Sequence, residues 1–158
     1  MVRLVPMTET NFESYMEVTI KDYAQEHVKA GNFNPEDAID LAREQLDRIL
    51  PERLSTDGHF FNSVEDDNSQ NKVGVLWYAV DDRGGMKKAF VYDVIIFEEY
   101  RRRGYGSETF QVLEDIVRNQ GLDEIALHVF GHNRVARKMY EKLGFVETDV
   151  MLSKKLSA

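Results

Sequence analysis

With 158 residues and no cysteine, the chain has the length of one ordinary domain and can bury a core without disulfides or thiolate-bound metal. The missing cysteines exclude a disulfide scaffold, a thiolate metal site and a cysteine nucleophile, and they fit a reducing cytoplasm. A formal net charge of -8 argues against a general nucleic-acid binder, which needs a positive surface for phosphate contacts. Residues 1–11 hold no apolar signal-peptide core, and the longest apolar run, residues 73–80, is far shorter than the ~20 residues that span a bilayer. We therefore expect a cytoplasmic protein with neither nucleic acid nor membrane as partner. No repeat, proline-rich linker or low-complexity tract divides the sequence, so residues 1–158 read as a single domain.

In chain order, residues 2–5 predict a short edge strand. Thr8 or Thr10 then offers an N-cap, Thr10 forming a capping box with Glu13. The first helix is expected to run to Lys29, with Phe12, Tyr15, Thr19 and Tyr23 on one face and Gly31 ending it. Asn34 before Pro35 predicts a second N-cap, and Ala38, Leu41, Ala42, Leu46 and Ile49 keep helical spacing until Pro51. Three strands follow, over 59–65, 73–80 and 89–97. The polar stretch 65–72 and a turn over 81–85 join them into an antiparallel meander. From Gly104 the period becomes helical again, with Phe110, Leu113, Ile116 and Val117 inward and Gly121 as the stop. A strand over 125–130, a helix between Asn133 and Gly144, and a last strand or strand pair over 145–152 complete the chain. Strand, helix, strand implies a parallel crossover added to the meander, hence a mixed α/β sheet.

One segment stands out chemically. The β-branched strand Val91-Tyr92-Asp93-Val94-Ile95-Ile96 runs into Arg101-Arg102-Arg103-Gly104-Tyr105-Gly106-Ser107 at a helix start. Glycines let the backbone turn so that unpaired amides of the new helix converge on one point, where the helix dipole and arginine side chains attract phosphate. A glycine pair alone is a weak motif; the strand before, the helix after and the densest positive charge of an acidic chain raise its meaning. Dinucleotide binding would want a third glycine where Thr109 stands, and a Walker loop would want Gly-Lys-Ser/Thr, which is absent.

A second segment, Asn133-x-x-Ala136-x-x-x-Tyr140-x-x-x-Gly144-Phe145, also reads as core packing with Asn133 as N-cap and Gly144 as C-cap. Packing leaves unexplained a tyrosine whose hydroxyl needs a partner. Together, in this order, the two segments resemble the GNAT superfamily of acyl-CoA-dependent N-acetyltransferases. The likeness is clearest from Val91 to Phe145. It implies a mixed, mostly antiparallel twisted sheet with a parallel central strand pair, flanked by about four helices.

The resemblance further implies acetyl-CoA as acetyl donor and no metal. Arg101, Arg102, Arg103, Gly104, Tyr105, Gly106 and Ser107 would surround the pyrophosphate. Val94 and Ile96 would meet the pantetheine arm through their main chains, and Asn133 and Ala136 would lie beside it. The fourth and fifth strands are expected to splay, placing the thioester between residues 93–96 and 126–129. Tyr140 would be the general acid for the CoA thiolate. Asp93, on the strand beside the thioester, is the candidate general base, with a structural or substrate-orienting carboxylate as the competing account. His128 and His132 lie in a strand-to-loop context that does not form a zinc pair, and His128 reads as a neutral, hydrogen-bonded neighbour.

Acceptor specificity is expected from the first two helices and the strand after them, with Tyr23, Glu26, His59, Phe61 and Trp77 as candidates and a small-molecule or peptide amine as substrate. A homodimer is compatible with the resemblance, although no sequence feature demands one. The competing function is a non-catalytic acyl-CoA sensor or interaction module on the same fold.

Overall fold

The computed structural model describes residues 1–81 and 87–157. Two compact units divide it, Met1–His128 and Val129–Ala158. The elements are β1 Val2–Pro6, α1 Glu9–Lys29, α2 Ala38–Ile49, β2 His59–Asp66, β3 Lys72–Asp81, β4 Lys88–Ile96, α3 Tyr105–Asn119, β5 Ile125–Leu127 and α4 Arg134–Lys142.

The first unit carries one sheet in the order β1-β2-β3-β4-β5. The first four strands form the expected antiparallel meander, and β5 joins β4 in parallel. The mixed sheet, with four α-helices among the described residues of the chain, is the architecture the sequence implied, and the parallel pair lies at the β5 end. Alternation sends Phe61, Val75 and Trp77 to the face covered by α1 and α2. There they meet Phe12, Tyr15, Met16, Ile20, Ala42 and Leu46 in one buried cluster. Phe12 packs edge-on against Phe61, which stacks on Trp77. Full burial of each such aromatic contributes roughly 1.5–3 kcal/mol. On α3, Phe110, Leu113 and Val117 are buried outside that cluster, and the helix packs on β1 and β4.

Several boundaries differ from expectation. α1 is capped by Thr8, whose hydroxyl accepts from the Asn11 amide, so Thr10 lies inside the helix. α2 starts after Asp37 instead of Asn34, because the Asp37 amide closes a separate turn onto the Asn34 carbonyl at 3.2 Å. The strand expected over 125–130 ends at Leu127, where its pairing with β4 stops at the rung Val91↔Leu127. Beyond position 81, the expected turn over 81–85 lies outside the described residues.

The second unit contains α4 and no strand, so residues 145–152 do not form the expected one; among the described residues of that unit no second extended segment offers the hydrogen bonds a strand requires. α4 closes with Gly144 at φ 94°, its amide bonded to the Glu141 carbonyl and the Phe145 amide to Tyr140. That 6→1 and 5→2 pair is the Schellman ending. Among the described residues, no helix is long and apolar enough to cross a membrane.

Candidate active site

A β-bulge decides what β4 presents. Its register with β3 shifts between Trp77↔Asp93 and Tyr78↔Val91, leaving Tyr92 as the extra residue. Tyr92 stacks on Trp77 with centroids 4.6 Å apart, while the Asp93 carboxylate accepts from the Tyr15 hydroxyl of α1 at 2.6 Å. Two consecutive residues therefore face the α1 side. The bulge also follows directly on the last rung to β5, so among the described residues no strand pairs with the β5 side of β4 from Tyr92 to Ile96. Phe97 donates its amide to Val73 on β3, and alternation turns the main-chain groups of Val94 and Ile96 toward that unpaired side. These are the two residues expected to offer main-chain hydrogen bonds.

Asp93 is part-buried, and burial pushes its carboxyl up to about 6; the Tyr15 hydroxyl opposes the rise and the Asp22 charge adds to it. Tyr15 is buried and stays protonated, its phenol raised well above the usual 10 by burial first and by Asp93 second. Around them, Tyr23 donates to the Gln45 side chain at 2.8 Å, and the Trp77 indole donates to His59 Nδ1 at 3.0 Å. The second bond leaves His59 with its proton on Nε2, and burial lowers the pKa of that ring. Of the acceptor candidates, Phe61 and Trp77 prove to be core, 4% and 2% exposed, because their face of the sheet is covered by α1 and α2. Tyr23, Glu26 and His59 are partly exposed.

After β4 the chain makes a 3-10 turn over Glu98–Tyr100, and Arg101 ties back by donating Nε–H to the Ile96 carbonyl at 2.9 Å. Arg102 sits at φ 64° and Gly104 at φ 85°, both left-handed, and α3 begins at Tyr105. Glycine adopts that conformation freely, arginine at a cost. The Arg103 guanidinium lies over the Tyr100 ring. No side chain caps the helix start. The amides of Tyr105, Gly106 and Ser107 thus lack helical carbonyls, and they open beside three exposed arginines. This arrangement suits a multivalent anion.

Asn133, Ala136 and Tyr140 lie along one stripe of α4 in the second unit. The Asn133 side chain accepts from the Ala136 amide at 3.1 Å, so its oxygen serves as the N-cap and its amide group remains a donor. Tyr140 packs its ring against Phe145. Sequence reasoning missed the Tyr15–Asp93 contact; the available signal was a tyrosine on an inward helix face, where its hydroxyl needs a partner. Among the described residues, no group of three or more side chains suited to a metal ion occurs.

The Acetyltransferase (GNAT) family profile matches residues 17–145. A Bacillus subtilis protein named as an uncharacterized N-acetyltransferase, YycN, is 41% identical over 155 residues, covering 98% of this chain and 99% of that protein. The YycN crystal structure superposes with a TM-score of 0.93 at 40% identity, covering all of both chains. A predicted acetyltransferase of Clostridium acetobutylicum, solved with acetyl-CoA, shares the fold with a TM-score of 0.63 at 18% identity, covering 99% of this chain and 97% of that one. The chain belongs to the GNAT family of acetyltransferases.

Proposed function

We propose that this chain transfers the acetyl group of acetyl-CoA to a primary amine by direct attack in a ternary complex. The observation that carries the reading is the open start of α3, three amides without a cap beside Arg101, Arg102 and Arg103. These groups, with Gly104, Tyr105, Gly106 and Ser107, would hold the CoA pyrophosphate. The Val94 and Ile96 main chains would bond the pantetheine arm along the unpaired side of β4, with Asn133 and Ala136 beside it. The solved Clostridium protein with its acetyl-CoA supports that choice of donor.

When bound, acetyl-CoA supplies an activated carbonyl and a thiolate leaving group. An amine attacks only when neutral, so Asp93 would take its proton while the new C–N bond forms. Tyr140 would return a proton to the sulfur as the C–S bond breaks. The balance is one proton accepted and one donated, with no covalent bond to the enzyme. Because the Asp93 carboxyl is raised to about 6, turnover should climb as pH rises through that value and the carboxylate becomes available.

Calorimetric titration with acetyl-CoA, followed by a primary-amine panel monitored by thiol release, tests the reading. We expect binding, turnover with at least one amine, and a loss of about 100-fold in kcat for Tyr140→Phe. No binding would overturn the proposal entirely. Binding without thiol release would overturn its catalytic part, and full turnover by Tyr140→Phe would remove Tyr140 from the mechanism.

A further inference from the structure

We propose that Tyr15 is a positioning residue for proton transfer: its hydroxyl, donated from α1 to Oδ2 of Asp93 at 2.6 Å, fixes the carboxyl so that Oδ1 faces the acceptor amine. This inference rests on the reading of Asp93 as the base.

The geometry is specific. Tyr15 and Asp93 lie 78 positions apart, on a helix and on the residue after a bulge; the neighbouring Val94 amide also bonds the carboxylate, and the tyrosine hydroxyl is the hydrogen bond that reaches it from another element. The Tyr15 ring is 8% exposed and rests edge-on against Phe61 at 6.3 Å, so the hydroxyl has little freedom to swing away. A carboxylate with both oxygens loose samples several rotations; one oxygen held by a short O–H bond leaves a single direction for the other. Tyr15 itself cannot serve as base, because burial and the adjacent carboxylate keep it protonated.

The groups facing Asp93 are few. α1 brings Tyr15 and Asp22, its own strand brings Tyr92 and the Val94 amide, and β3 sets Trp77 opposite it, with His59 of β2 bonded to that indole. Among the described residues, Asp93 has no salt-bridge partner, so the tyrosine hydroxyl is its main support as an anion. Removing that donor should raise the proton affinity of Asp93 and shift the working pH range upward. A tyrosine that merely staples α1 to β4 would leave the pH dependence of turnover where it is.

The test follows two titrations in the unaltered protein and in Tyr15→Phe. One is the Asp93 carboxyl, seen by carbon-13 NMR and identified by its disappearance in Asp93→Asn. The other is the acidic limb of thiol release from acetyl-CoA with a pool of n-butylamine, putrescine, spermidine and lysine. Both midpoints should move up by about one pH unit in Tyr15→Phe, giving roughly tenfold less turnover below pH 6 and nearly full turnover at pH 8. Placing 3-fluorotyrosine at position 15 keeps the ring and strengthens the donor, so both midpoints should move down; this arm stands even if Tyr15→Phe folds poorly. A carboxyl midpoint that moves while the limb stays makes Tyr15 structural and overturns the proposal, as does a pair of unmoved midpoints. Separately, unchanged turnover in Asp93→Asn would reject Asp93 as base, and no thiol release from the unaltered protein would reject acetyl transfer.

Discussion

α1 and α3 begin in opposite ways. The first turn of α1 is closed by its own chain, the Thr8 hydroxyl accepting from the Asn11 amide at 3.2 Å. α4 does the same through Asn133. α3 begins at a left-handed glycine with no side-chain cap, behind three arginines. A self-capped helix has met part of its hydrogen-bonding demand at home; an uncapped one leaves donors and a partial positive charge for something outside. The same element type is closed by its own chain in one place and left with open donors in the other, and the residue at the cap position makes the difference.

The strongest way to break this contrast is to give α3 a negative group of its own. Gly104→Asp should weaken acetyl-CoA about 100-fold in calorimetry while circular dichroism shows the helix content kept, because the added carboxylate repels phosphate where the amides attract it. Unchanged affinity would mean that the anion site lies elsewhere. The reverse experiment, Thr8→Ala, should cost about 1 kcal/mol of stability in chemical denaturation and leave acetyl-CoA affinity alone, since α1 uses its first amides structurally. A change in affinity there would erase the distinction. The smallest effect concerns strain. Arg102 holds φ 64° without the freedom of glycine, so Arg102→Gly should gain about 0.5 kcal/mol in the same denaturation while weakening acetyl-CoA severalfold. A loss of stability would show that the left-handed arginine is not strained.

What the sequence made legible follows from the range of each interaction. Gly31, Gly121 and Gly144 each end a helix at positive φ, as their local spacing implied. The meander and the arginine-glycine turn were legible for the same reason, since alternation and turn chemistry act within a few residues. The Tyr15–Asp93 bond was not, because nothing local couples residues 78 positions apart. The bulge at Tyr92 was hidden inside a run of strand-forming residues whose spacing looks the same with or without an extra member. β5 came out shorter than its apolar run because a strand ends where its partner stops pairing, and the sequence of β5 does not say where β4 turns away.

That bulge makes β4 two half-strands of opposite parity. Up to Val91 the odd positions stand opposite Tyr78 and Val80; from Asp93 onward they stand opposite Trp77 and Val75. The carboxylate reaches α1 only because one unpaired residue separates the halves. Were Tyr92 paired instead of bulged, it would stand opposite Trp77 and Asp93 opposite Leu76, which turns the carboxylate toward the opposite face. The sequence would be unchanged by that shift of register, and the bond to Tyr15 would be lost. In this fold the reading frame of one strand, as much as the identity of any side chain, determines which residues can meet.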